Sequence, residues 1–150
     1  MAKKLPNDAL LTEIIQQVSS AKTKKEKVEL LQKYNNNGLR AILIINFDES
    51  LKFLLPEGDV PFTRNEAPAG TEHTRLDHEY KGFYRFFQGG DASLNNMNRE
   101  KLFIQLLEGL QEDEADLFIA ACNKTLQKKY RVTKAVVSEA FPQIEWGNRG

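Results

Sequence analysis

The 150-residue chain carries 21 basic and 21 acidic side chains, so overall charge draws it neither to nucleic acid nor to a membrane, and any electrostatic argument must come from how the charges are distributed. Its 41% hydrophobic and 28% charged residues suit one globular domain rather than a disordered chain. Cys122 is the single cysteine, which excludes an internal disulfide, and the longest apolar run, residues 41–45, is far too short to cross a bilayer.

The opening Met-Ala-Lys-Lys-Leu-Pro has no apolar run behind its lysines, so no signal peptide is expected, and a cytoplasmic location is. The first predicted helix spans about residues 7–19. Leu10, Leu11, Ile14, Ile15 and Val18 recur on one face, with Pro6 and Asn7 at its start and Ser19-Ser20-Ala21 at its end. Thr23-Lys24-Lys25-Glu26 reads as a capping box opening a second helix, whose stripe is Val28, Leu31 and Tyr34 with Leu30 beside it. Asn35-Asn36-Asn37-Gly38 breaks the chain. Residues 39–47 are nearly all apolar and read as a central helix; pattern alone also admits a buried strand, but the flanking segments are helical. Asp48-Glu49-Ser50 predicts a further short helix over residues 51–55, stopped by Pro56.

Three prolines and two glycines predict a surface loop over residues 56–72. Helical spacing returns with Leu76, Tyr80, Phe83, Tyr84 and Phe87, up to Gln88-Gly89-Gly90. Asn98 is the predicted cap of a helix with the stripe Leu102, Phe103, Leu106, Leu107 and Leu110. Glu112-Asp113-Glu114 suits the positive start of a helix running through Leu117, Phe118, Ala121 and Cys122, with Lys124 at its other end. After a basic connector, Thr133 begins a last helix with Val136, Val137 and Ala140, closed by Phe141-Pro142. Residues 143–150 form a tail whose Ile144 and Trp146 can lie back on the domain. The sum is one all-α domain, residues 1–150, of six to eight helices. Its predicted core holds Ile14, Leu31, Ile42, Ile45, Phe83, Leu106, Phe118 and Val137.

Catalytic signals are missing. His73 and His78 stand five apart across a loop boundary, which is not the spacing that sets two ligands on one helical face, so no metal is expected. Cys122 lies in an apolar run and reads as a small buried thiol. Gly89-Gly90 lacks the lysine and hydroxyl of a phosphate loop. The acids at 112–116 read as a solvated helix start rather than an acid–base pair. No enzyme activity and no cofactor are expected.

Charge distribution says more. Between Lys22 and Arg40 lie six basic residues and two acidic ones; from Lys124 to Lys134 lie five basic and no acidic residues; Glu108 to Phe118 carries five acids and no base. Both basic stretches occupy the connector and first turn leading into a helix. Free amides there, with hydroxyl and basic side chains, are the parts of a phosphate-binding surface. The plainer reading is that such lysines keep the surface soluble.

The stretch Leu11-Thr-Glu-Ile-Ile-Gln-Gln-Val-Ser-Ser-Ala-Lys-Thr-Lys-Lys-Glu-Lys-Val-Glu-Leu-Leu-Gln-Lys-Tyr34 resembles the start of the ATP-dependent DNA ligases of T-even-type phages. Val132-Thr-Lys-Ala-Val-Val-Ser-Glu-Ala-Phe-Pro142 is similar to the end of the same region, and the prolines after Leu55 and the aromatic segment around Phe83 fall in the family's order. The likeness runs from about Leu10 to Trp146. It implies the helical N-terminal DNA-binding domain of those ligases, which grips the duplex backbone. The chain has no Lys-x-Asp-Gly nucleotidyl-acceptor motif, and at 128–131 bulky residues stand where the family has a glycine. The resemblance therefore implies a free-standing, phage-encoded, non-catalytic binder of double-stranded DNA, acting in the host cytoplasm with little sequence preference. Lys22, Thr23, Lys24, Lys25, Arg40, Lys128, Lys129, Arg131, Thr133 and Lys134 are the expected contacts. The alternative is a module that keeps the fold and binds a phage or host protein instead, which zero net charge favours; the 56–72 loop and Phe62 would then meet the partner.

Overall fold

Short polar side chains set where the helices begin. Thr23 Oγ1 accepts the Glu26 amide at 3.1 Å and starts α2 (Lys24–Lys33). Asn36 Oδ1 accepts the Leu39 amide at 2.7 Å and starts α3 (Asn37–Phe47). Asn95 Oδ1 accepts the Asn98 amide at 2.8 Å and starts α5 (Asn96–Gly109), and Thr133 Oγ1 accepts the Val136 amide at 3.3 Å to start α8 (Lys134–Ala140). Each cap satisfies an amide that the helix itself leaves without a partner. The remaining helices are α1 (Leu11–Ser20), α4 (Leu76–Glu79), α6 (Glu112–Cys122) and α7 (Leu126–Lys129), and a 3-10 segment covers Tyr80–Phe86. The computed structural model describes residues 10–54, 75–87, 93–110, 112–144 and 146–147.

Among these residues the domain is all-α, with eight α-helices and no strand; an isolated antiparallel bridge joins Phe53 to Phe87. Residues 39–47 are thus helix, not strand. No helix described is long and apolar enough to cross a membrane. α3 is the centre of the packing, lying on α6, α4 and the 3-10 segment, while α1 packs on α2 and α6 and α2 packs on α8. Seven of the eight predicted core residues are buried; Leu106 is half-buried, with Phe103, Leu107 and Leu110 filling the interior side of α5. Phe83, Phe86, Phe103 and Phe118 form a ring cluster at centroid separations of 4.7–6.1 Å, close enough for tilted and edge-on ring contacts beyond area burial alone.

Four boundaries differ from the sequence expectation. α1 starts at Leu11, because Leu10 is extended and its amide is taken by Glu13 Oε1 at 2.9 Å; the expected start at residues 6–9 lies outside the described residues. The helix expected over 51–55 is not formed in its described part: residues 51–54 are irregular, Leu54 donates to the Phe86 carbonyl at 3.0 Å, and the segment is held by the neighbouring chain rather than by its own turns. The cap of α5 is Asn95, three residues before the expected Asn98. The segment from Leu76 also tightens from α to 3-10 at Tyr80. Within it Phe83 and Phe86 turn inward and Tyr84 is exposed, where the expected stripe had Tyr84 inside; Leu76 and Phe87 are buried as expected.

Candidate nucleic-acid interface

The α1–α2 turn and the chain entering α8 are neighbours. The Arg131 amide donates to Ser19 Oγ at 2.9 Å, and Lys27 Nζ donates to the Arg131 carbonyl at 2.6 Å. α2 and α8 then pack along each other, with Gln32 Nε2 reaching the Ala140 carbonyl at 3.2 Å. The two basic stretches, more than one hundred residues apart in sequence, therefore meet in one region. Lys22, Thr23, Lys24, Lys25, Lys128, Lys129, Arg131, Thr133 and Lys134 are all exposed there or on the adjoining α7. Lys27 belongs with them and was not among the expected contacts, although the sequence count of basic residues already included it.

Two acids temper this region. Glu139 Oε2 lies 4.0 Å from Lys24 Nζ, with both side chains more than half exposed, a geometry that contributes little in water. Glu26 Oε2 accepts the Lys22 amide at 3.3 Å, so the return half of the capping box falls one residue before Thr23. Aromatic rings steady two of the cations: Lys129 Nζ stands 5.6 Å from the Tyr130 ring centroid and Lys134 Nζ 5.1 Å from that of Trp146. Trp146 is itself pinned, Nε1 donating to Ser138 Oγ at 3.1 Å, so this residue of the tail lies back on α8. The expected connector at 128–129 is the short helix α7, and Thr133 and Thr23 spend their hydroxyls on caps rather than leaving them free.

Arg40 stands apart from the other nine. It lies on α3, its Nε directed at the Asn36 carbonyl and its Nη2 hydrogen-bonded to Asn37 Oδ1, beside Tyr80, Gln143 and Ile144.

Three buried charged groups escaped the sequence reading, and each serves the fold. Glu114, expected in solvent, is fully buried, and its two oxygens accept the amides of Leu11 at 3.0 Å and Leu76 at 3.1 Å. Arg99 donates to the Arg85 and Leu94 carbonyls, both at 2.8 Å. Asp48 accepts from the Ser50 amide and hydroxyl and from the Gly147 amide. Lys124, in the left-handed region at φ 59, sends Nζ to the Ile45 and Asp48 carbonyls at the end of α3, 2.7 and 2.8 Å away. Partial burial lowers its pKa from 10.5, opposed by the Asp48 carboxylate; burial pushes the neighbouring Cys122 thiol well above 9.0, opposed by Lys124. His78 lies on α4 and is exposed, while His73 and Phe62 fall outside the described residues, as does the 56–72 loop. No group of three or more histidine, cysteine or acidic side chains able to hold a metal occurs among the described residues.

What these features define is a helical domain with a basic region where the start of α2 meets the chain entering α8. Residues 14–128 match the model of a family of unknown function, DUF6433, and the chain belongs to that family. The match runs from within α1 through most of α7 and stops short of Lys129, Arg131, Lys134 and α8. No curated protein and no solved structure matches the chain.

Proposed function

We propose that the protein is a non-catalytic binder of double-stranded DNA that contacts the phosphate backbone through basic side chains of α2, α7 and α8, a counterpart of the ligase DNA-binding domain. The observation that carries the reading is the joining of the two basic stretches through the Ser19–Arg131 and Lys27–Arg131 hydrogen bonds. Zero net charge does not oppose it, because screening at physiological salt confines the relevant field to about 8 Å. Phosphate contacts fix a protein on a duplex without reading bases, so little sequence preference follows.

The test is fluorescence anisotropy with duplex, nicked and single-stranded probes over a salt series. Four to six neutralised phosphates give a log–log slope of about −4 to −5. No salt-sensitive binding to any duplex would sink the proposal. A covalent nucleotide adduct on incubation with ATP or NAD and magnesium would overturn its non-catalytic part. The second reading, a module for a phage or host protein, draws on Leu54, Tyr84 and Met97, large apolar side chains left 38%, 53% and 79% exposed. Charge reversal in the basic region would leave that partner's binding unchanged.

A further inference from the structure

At the other end of α2 the fold leaves an open groove of about 470 Å³ between α3, the 3-10 segment and the chain after α8. Its polar side is a connected set. Asn37 Nδ2 donates to Tyr80 Oη at 3.0 Å, and Asn37 Oδ1 accepts from Arg40 Nη2. Arg40 Nε is directed at the Asn36 carbonyl. These contacts orient a half-buried guanidinium and leave three of its five N–H donors for a ligand. No carboxylate among the described residues pairs with Arg40. Ile44 and Ile144 supply an apolar wall, and Gln143 adds an amide at the rim.

A guanidinium that no described carboxylate pairs with, set beside an aliphatic wall, recognises a planar or tetrahedral oxyanion joined to an apolar body. The volume is that of ordinary small-molecule sites. We propose that this groove binds a small organic oxyanion of about nucleotide size, with Arg40 holding the phosphate or carboxylate head and Ile44 and Ile144 holding the body. The site is separate from the proposed DNA surface. The ten residues of α2 rise about 15 Å between Thr23 and the Asn36–Arg40 turn, and none of the groove residues belongs to the basic region.

The experiment is a titration of the isotope-labelled whole protein with adenosine monophosphate, hexanoate and inorganic phosphate, each up to about 10 mM, a range that reaches millimolar affinity. Either organic probe should move the Ile44 and Ile144 methyl signals and the Arg40 Nε–H signal saturably, and whichever does so identifies the head as phosphate or carboxylate. Arg40→Gln should weaken that binding about tenfold or more, and Arg40→Lys, which keeps the charge but loses the fork, should weaken it less. Arg40→Lys keeps the test open even if the glutamine variant folds poorly. The proposal is overturned by equal shifts from inorganic phosphate alone, by no saturable shift from any probe, or by unchanged affinity in Arg40→Lys and Arg40→Gln. The titration contains no DNA, so its failure leaves the duplex-binding proposal standing.

Discussion

Glu114 and Lys25 both occupy the first turn of a helix, yet the fold treats them in opposite ways. Glu114 is sealed in the interior, where its oxygens take the first amides of α1 and α4 while it sits at the start of α6. Three positive helix ends thus converge on one carboxylate, which offsets the cost of taking a charge out of water. Lys25 is exposed, near the point where Lys27 of α2 bonds the Arg131 carbonyl in the chain entering α8. A charge that the fold consumes is surrounded by its donors, whereas one left in solvent remains available to a partner. On this contrast Glu114 is structural, and the exposed basic side chains are the ones available to a duplex.

The largest effect should come from breaking the structural charge. Glu114→Ala leaves two buried amides without acceptors, at about 1–3 kcal/mol each, so urea unfolding should show a loss of about 3 kcal/mol or more. Glu114→Gln keeps one good acceptor oxygen and should lose less. If Glu114→Ala unfolds at the same urea concentration as the wild type, the carboxylate is not what joins α1, α4 and α6.

Reversing the exposed charges should do the converse. Lys24→Glu with Lys25→Glu, or Lys129→Glu with Arg131→Glu, should weaken duplex binding about tenfold or more for every sequence and reduce the salt slope by roughly one per lost contact. Stability should stay within about 0.5 kcal/mol, as for surface changes generally. Glu112→Lys with Asp113→Lys, both exposed on α6, should not impair binding. Equal losses from the α6 pair and the basic pairs would erase the proposed difference between the two kinds of charge.

The difference between the two kinds of charge was only half legible in the sequence. Lys22–Lys25 and Lys128–Lys134 could be singled out as basic helix entries, because exposed character and capping chemistry are local. Their meeting depends on α2 packing against α8, and no local pattern encodes that. The long amphipathic helices were readable for the same local reason: Ile14, Leu31, Ile42 and Val137 repeat at helical spacing and are buried. The misses lie where tertiary contacts decide. Residues 51–54 follow the Phe53–Phe87 bridge instead of their own helical signal, and Phe86 faces inward where the backbone tightens to a 3-10 spiral. Glu114, Arg99 and Asp48 look like ordinary surface charges until distant backbone groups close around them. The Arg40 groove is assembled from three separate parts of the chain, so its residues carried no joint signal.

A third test uses pH to set the buried Cys122 against the partly buried Lys124. The folded pKa of Cys122 is raised by burial, so above 9.0 the unfolded chain has lost a proton that the folded chain keeps, and stability falls as pH rises through that window. Lys124 works the other way. Its folded pKa is lowered, so below 10.5 the unfolded chain holds a proton that the folded chain releases sooner, and its contribution rises with pH between the two values. Cys122→Ala removes the falling contribution, and with it the thiolate charge that raises the Lys124 pKa, so the rising contribution is not weakened. The stability of the variant relative to wild type should therefore climb by up to about 1.4 kcal/mol per pH unit above 9.0, read from urea midpoints at successive pH values. Parallel pH curves for the two proteins would refute the assignment.

The smallest effect should separate hydroxyls from charges inside the binding region itself. Thr23 and Thr133 stand among the proposed contacts, yet each hydroxyl accepts an amide three residues ahead, at 3.1 and 3.3 Å. Their work is therefore to begin α2 and α8, and so to place the lysines that follow. Thr23→Ala and Thr133→Ala should each cost about 1 kcal/mol of stability, the ordinary loss for an N-cap. Neither change removes a charge, so the salt slope of duplex binding should match that of the wild type under conditions where each variant is fully folded. A cap variant that keeps full stability but loses slope as a lysine variant does would show that the hydroxyl turns toward the phosphate instead of the helix. The division between groups that build the surface and groups that bind through it would then fail at that residue.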